Sequence, residues 1–391
     1  MVKFRLAIPI AIVVLLLAGA CAPGATPTPT PRPQTTPVAT PPPPTPPPAP
    51  GPTPAVGPTP TPRPPTPSPT ATLPAKPLPR TATIASYAPP HIFGIVASAF
   101  IDVLNKSTPV NFSLIPLGAI TAFAPAMERG EVDFAVYSNA PTRLGFTGTE
   151  LGFTKPATYL RLVAVGHETD LGIHTVDPAV KTAGDLKGKR IYLWYTGTAI
   201  IQVAGLAVLN GYGLTDKDVV GLPFSTLPES EKGLVEGKAE AAVRAGGPWL
   251  EVARRTKPVR TISIPPDIIT RFVQPSFPEF FPKVLPKGTW GSAEEVTTLG
   301  YNLAIYARQD VDEGLVYTML KGIYPNYDTY SKVHPALQEW TLKNALRSMG
   351  LPLHPGAIRY YKEQGIWTQE LEDNQQVLVD WAKTLEARVK K

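Results

Sequence analysis

The chain has 391 residues, with 37 Lys and Arg against 31 Asp and Glu and a formal charge of +6. Six of the basic residues, Lys3, Arg5, Arg32, Arg63, Lys76 and Arg80, precede Thr81 and no acidic residue does, so the stretch from 81 onward sets 31 against 31. That balance leaves no electrostatic footprint for a polyanion and excludes a nucleic-acid partner.

The chain opens "MVKFRLAIPIAIVVLLLAGACAPG". Lys3 and Arg5 form a basic start, Leu6 to Leu17 an apolar run, and Ala18-Gly19-Ala20 a small-residue cleavage zone. This is the pattern of a secretory signal. The run is shorter than the ~20 residues that a membrane-spanning helix needs. Cys21, the single cysteine, follows the zone directly. The arrangement resembles the lipobox of bacterial lipoproteins, although Ala18 stands where Leu is usual and Leu17 lies one place earlier. It implies lipidation of Cys21, membrane attachment through that anchor, and no disulfide in the folded part. Residues 22–80 hold 26 prolines among 59 residues, interleaved with Thr and Ala. Such a composition cannot build a core and predicts an extended, disordered stalk.

From Thr81 strands and helices alternate. "RTATIASYA" reads as a strand, "HIFGIVASAFIDVLNK" as a helix, "VNFSLIPLG" as a strand, "AITAFAPAMERG" as a helix with a kink at Pro125, and "VDFAVYSN" as a third strand. This βαβαβ opening predicts an α/β fold with a largely parallel sheet. After "RLVAVGHETDLGIHT" the same architecture repeats: strand "KRIYLWYTG", helix "TAIIQVAGLAVLNGYG", strand "VVGLPFS", amphipathic helix "LPESEKGLVEGKA", strand "EAAVRAGGP". The tail, from "EEVTTLGYNLAIYAR" to the end, is expected to be mainly helical, with "DEGLVYTMLKGIYPNYDTYSKV" as its clearest amphipathic stretch.

In parallel α/β sheets ligands lie beyond the carboxyl ends of the strands. The residues there are Tyr87 and His91 after the first strand, Gly118 and Ala119 after the second, and Asn139 after the third. "YLWYTGTAI" joins a strand to a helix whose N-terminus presents unpaired N–H groups and a partial positive charge. Tyr195, Thr196, Gly197 and Thr198 are therefore candidates for holding an anion, with Thr198 serving either as ligand donor or as helix N-cap. The run lacks the glycines and lysine of a nucleotide loop. "VRAGGP" places Gly246 and Gly247 where backbone can approach a ligand, and Arg244 points either into the cleft or to the surface. The five histidines show no metal-ligand spacing, and no nucleophile elbow, acid pair or Cys/His dyad appears, so neither metal, cofactor nor enzymatic activity is expected.

The motifs "ERGEVDFAVYSNAP", "DLKGKRIYLWYTGTA", "LVEGKAEAAVRAGGP", "LPKGTW" and "LPLHPGAIRYYKEQG" occur in this order. Together, across 81–365, they resemble the TAXI family of solute receptors serving TRAP-type transporters. The resemblance implies a two-lobed type II periplasmic-binding-protein fold, with 81–165 and 266–391 as the first lobe and 166–265 as the second. It also implies a ligand cleft reached by Trp290 of "LPKGTW", and an extracytoplasmic receptor that delivers a small organic anion, a carboxylate above all, to a TRAP-type permease. The chain departs from the family where Trp194 and Ala199 replace glycines and Thr198 replaces serine, where "SYAPPHIFG" lacks a glycine pair, and where "GAITAFA" lacks an asparagine. Two alternatives stand beside this reading. One is a receptor for an ATP-driven importer of a pyrimidine precursor or sulfonate; the other is an extracellular α/β enzyme.

Overall fold

A computed structural model describes residues 77–117 and 119–389. The signal, the lipobox Cys21 and nearly all of the proline-rich stretch lie outside them, as does Gly118. In chain order the first half contains β1 (Thr81–Ser86), α1 (Ile92–Ser107), β2 (Asn111–Pro116), α2 (Ile120–Glu128), β3 (Phe134–Ser138), α3 (Asn139–Thr147) and β4 (Leu160–Thr175). There follow β5 (Arg190–Tyr195), α4 (Ile200–Asn210), β6 (Val220–Phe224), α5 (Leu227–Val235), β7 (Ala241–Ala245), α6 (Trp249–Arg254) and β8 (Arg260–Ile262). The last part holds α7 (Pro266–Ile268), β9 (Phe281–Leu285), β10 (Val296–Arg308), α8 (Glu313–Ile323), α9 (Tyr327–Tyr330), α10 (Pro355–Glu363) and α11 (Gln369–Val389). Among the described residues no helix is long and apolar enough to cross a membrane.

The strands form one mixed sheet in the order β2-β1-β3-β10-β4-β7-β5-β6, with β8 on β4 and β9 on β10. β1 pairs in parallel with β2 and β3, and β5 in parallel with β6 and β7. The two long strands β4 and β10 run antiparallel between these groups. Helices flank both groups, giving the α/β architecture that the βαβαβ patterns foreshadow.

Two hydrophobic cores result. The first gathers Phe100, Phe112, Phe123, Phe134, Trp340 and Tyr361; the second gathers Ile191, Leu193, Val208, Phe224 and Leu250. β4 gives Leu162 to Val165 to the first core and Leu171 and Ile173 to the second. β10 does the same with Leu303 to Ala307 and Leu299. Both strands cross where polar residues interrupt the apolar run, at 167–170 and 301–302, and the β10–β4 register shifts just beyond Asn302.

Three sequence expectations change. "EEVTTLGYNLAIYAR" contains the strand β10 rather than helix: it pairs on both sides, so most of its residues are buried whichever way they point and the two-residue alternation is absent. The segment 266–299, grouped by the sequence with the first lobe, gives Ile268, Ile269, Val273, Phe280 and Leu299 to the second core. Asn139 does follow the end of β3, as expected, but it also begins a helix not foreseen, α3, which ends at Gly148 with φ 76°.

Candidate functional site

A cavity of about 280 Å³ lies at the crossing between the two cores. From the first core's side it is lined by Tyr87 and His91 in the β1–α1 loop and by Tyr137 near the end of β3. From the second come Tyr195, Gly197 and Thr198 in the β5–α4 loop, with Arg244 and Gly246 at the end of β7. Thr169 and Tyr301, on the crossing strands, form its floor. Seven of the thirteen sequence candidates for ligand contact thus meet at one place.

The aromatic wall is ordered by stacking. Tyr87 lies on His91 with ring centroids 4.0 Å apart and on Tyr137 at 5.9 Å, while Phe93 meets Tyr137 edge-on at 5.4 Å. His91 also caps α1, its Nδ1 accepting the Phe93 N–H at 3.3 Å. Desolvation lowers the His91 pKa, which keeps the imidazole neutral and suited to that acceptor role. Burial pushes the Tyr137 and Tyr301 hydroxyls above their usual range, so both stay protonated as donors. Across the cavity Tyr195 stacks on Phe224 at 4.9 Å.

Both groups that the sequence offers for an anion are engaged by the chain's own acids. The N-terminus of α4 holds Glu150: the Thr198 hydroxyl donates to Glu150 Oε2 at 2.7 Å and the Ala199 N–H to Oε1 at 2.6 Å. Burial raises the Glu150 pKa, while the hydrogen bonds from Ala199, Thr198 and Leu151 pull it down. Arg244 is 3% exposed and turned into the protein, not to the surface. Its guanidinium pairs with Glu231 at 2.7 Å, donates to the Leu227 carbonyl at 2.8 Å and lies 4.1 Å from the Trp249 ring centre. Among the described residues of the lining, Arg244 is the only side chain with a formal charge, and Glu231 compensates it.

The other candidates stand outside the lining. Asn139 is buried outside that lining, its Oδ1 accepting the Asn302 N–H at 3.0 Å and so tying α3 to the crossing strand β10. Ala119 is the N-cap residue of α2, Thr196 is exposed, and Gly247, with φ 153°, opens α6. Trp290, whose backbone turns with φ 51°, packs beside Gly246 and is not part of the lining. Sequence reasoning missed Tyr137, Tyr301 and Glu150. Tyr137 sits one residue before the strand end and was open to discovery there; Tyr301 was hidden by the helical reading of β10. Glu150 lies in an irregular loop where no pattern points to it.

The family model described as NMT1-like family matches residues 93–365. The chain belongs to the NMT1-like family. Among solved structures, this NMT1-like chain is similar to the periplasmic aliphatic sulphonate binding protein SsuA from Escherichia coli. The two share 15% identity over 80% of this chain and 94% of that one, with a TM-score of 0.45. A TctC solute binding protein from Polaromonas matches at 12% identity over 80% and 98%, TM-score 0.45. Substrate binding domain 2 of GlnP from Lactococcus lactis matches at 14% over 68% and 97%, TM-score 0.39.

Proposed function

We propose that this protein is an extracytoplasmic solute-binding receptor that closes two lobes on a small organic solute and delivers it to a membrane permease. The observation that carries the reading is the cavity itself, built from strand ends of both cores and floored by the two strands that cross between them. A solute touching both sides would favour the closed form, and a permease that recognises this form would take its cargo from it. The order of motifs supports a TRAP-type permease as partner, and the lipobox around Cys21 supports attachment to the outer face of the membrane. An organic anion would need a seat other than α4 or Arg244, since Glu150 and Glu231 hold those donors. The stacked tyrosines favour a ring or other planar apolar part, with hydroxyls for its polar edge.

The test is to purify the chain, release bound small molecules in denaturant and identify them by mass spectrometry. One solute per chain is expected, with affinity reduced at least tenfold in Tyr195→Ala and Tyr301→Ala. Absence of any stoichiometric solute, together with unchanged behaviour of both variants in a thermal-shift screen, would overturn the reading. Reconstitution with a TRAP-type permease or with an ATP-driven importer then decides the partner, by which of the two the loaded receptor supplies.

A further inference from the structure

Glu150 lies on the loop between α3 and β4, a loop that packs on the first core through Phe153 and Tyr159. Its carboxylate reaches a helix of the second core, 49 residues further along the chain. Oε2 accepts from Thr198 at 2.7 Å, and Oε1 accepts from the N–H groups of Ala199 at 2.6 Å and of Leu151 at 2.8 Å. The residue is 3% exposed; of its two bonding partners at the start of α4, Thr198 lines the cavity with Gly197 and Ile200, and Ala199 lies between them. A local cap would satisfy this helix more simply, since Ser, Thr, Asp or Asn at the N-cap position does so. The N-cap residue here is Ala199, whose methyl offers no acceptor; Thr198 Oγ1 accepts the Ile200 N–H at 3.2 Å, and the negative charge comes from Glu150, outside the helix.

We infer that Glu150 is a specificity-determining residue: its resident carboxylate fills the place where an anionic head group would dock on α4, so the cleft accepts solutes that present an uncharged group at that end. The inference rests on the reading of the cleft as the solute site. An incoming carboxylate there meets a like charge in a poorly solvated setting and finds the hydroxyl and N–H donors already in use. On the opposite side Arg244 gives no compensating attraction, because Glu231 pairs with its Nη2 and the Leu227 carbonyl and Ser230 hydroxyl accept from its Nη1.

The experiment removes the resident anion and offers a free one. In Glu150→Ala, acetate should raise Tm saturably by several degrees, by binding in the vacated seat. Sodium chloride at matched ionic strength should not do so, and wild type and Glu150→Gln, whose amide still fills the space, should show no such response. Should Glu150→Ala not fold alone, its refolding yield with and without acetate becomes the readout, and acetate-dependent recovery supports the inference. A response in Glu150→Ala no larger than in wild type, or a refolding yield indifferent to acetate, overturns it. The outcome is separable from the receptor reading, because the acetate response requires no natural solute and the extraction experiment does not depend on Glu150.

Discussion

Gly94, in the first turn of α1, lies directly beneath the loop that carries Tyr87 and His91. A Cβ at this position would stand 2.4 Å from the Tyr87 carbonyl oxygen and 2.6 Å from the Pro89 nitrogen. Those are backbone atoms, which cannot turn aside as the tip of a side chain can, so Gly94→Ala has to displace the loop. The expected result is a loss of about 1–3 kcal/mol in urea unfolding, with weaker solute binding because Tyr87 moves off its stack on Tyr137. An unchanged denaturation midpoint would show that the loop yields freely. The residue scale is also where the sequence was least legible. Thr198 and Arg244 are recognisable as donors from their types and positions, but the acceptors that hold them, Glu150 and Glu231, are 48 and 13 residues away in the chain. Burial of Glu150 against a distant helix depends on tertiary packing, which no local window contains.

Among the elements, α3 does more than connect strand to strand. Arg143, on this helix, places Nε 2.9 Å from Glu279 Oε1, donates to the Gly350 carbonyl at 2.8 Å and lies 4.3 Å from the Trp381 ring centre. Glu279, beside Phe280 of the second core, is 1% exposed, and burial pushes its carboxyl up to about 7 although Arg143 pulls it down. The unfolded chain gives up this proton near the ordinary value of 4.5, whereas the folded chain holds it until about 7. The folded state therefore binds the extra proton, and this group's contribution to stability falls as pH rises from about 4.5 to about 7, then levels off. Glu279→Gln is neutral throughout. The stability of wild type relative to it should decline across that window by up to about 3 kcal/mol, as read from urea melts at successive pH values. Parallel profiles for the two proteins would show that Glu279 does not titrate there. The parallel strands and amphipathic helices around this region follow directly from periodicity. α3 and β10 do not: "NAPTRLGFT" carries a Pro in its first turn and little apolar rhythm, and β10 is buried on both faces.

The molecule as a whole poses a question about cooperativity. Two cores of this kind, joined by flexible linkers, would be expected to melt separately, as independent domains commonly do. Here the joints are β4, 16 residues long, and β10, 13 residues long, each giving side chains to both cores and paired with the other along most of its length. Losing either core removes half of each strand's packing and exposes ladder hydrogen bonds that the other half shares. Asn302, fully buried at the crossing, adds to the coupling by donating its N–H to Asn139 and its side-chain amide to the Gly166 carbonyl. Calorimetry should therefore give a single unfolding transition whose calorimetric and van't Hoff enthalpies agree, in spite of a described region of about 310 residues. Asn302→Ala removes the amide bond to Gly166 and loosens the crossing; it should lower Tm without splitting the peak. Two resolved transitions in wild type would mean that the crossing strands act as hinges only, and that each lobe holds its own fold without the other.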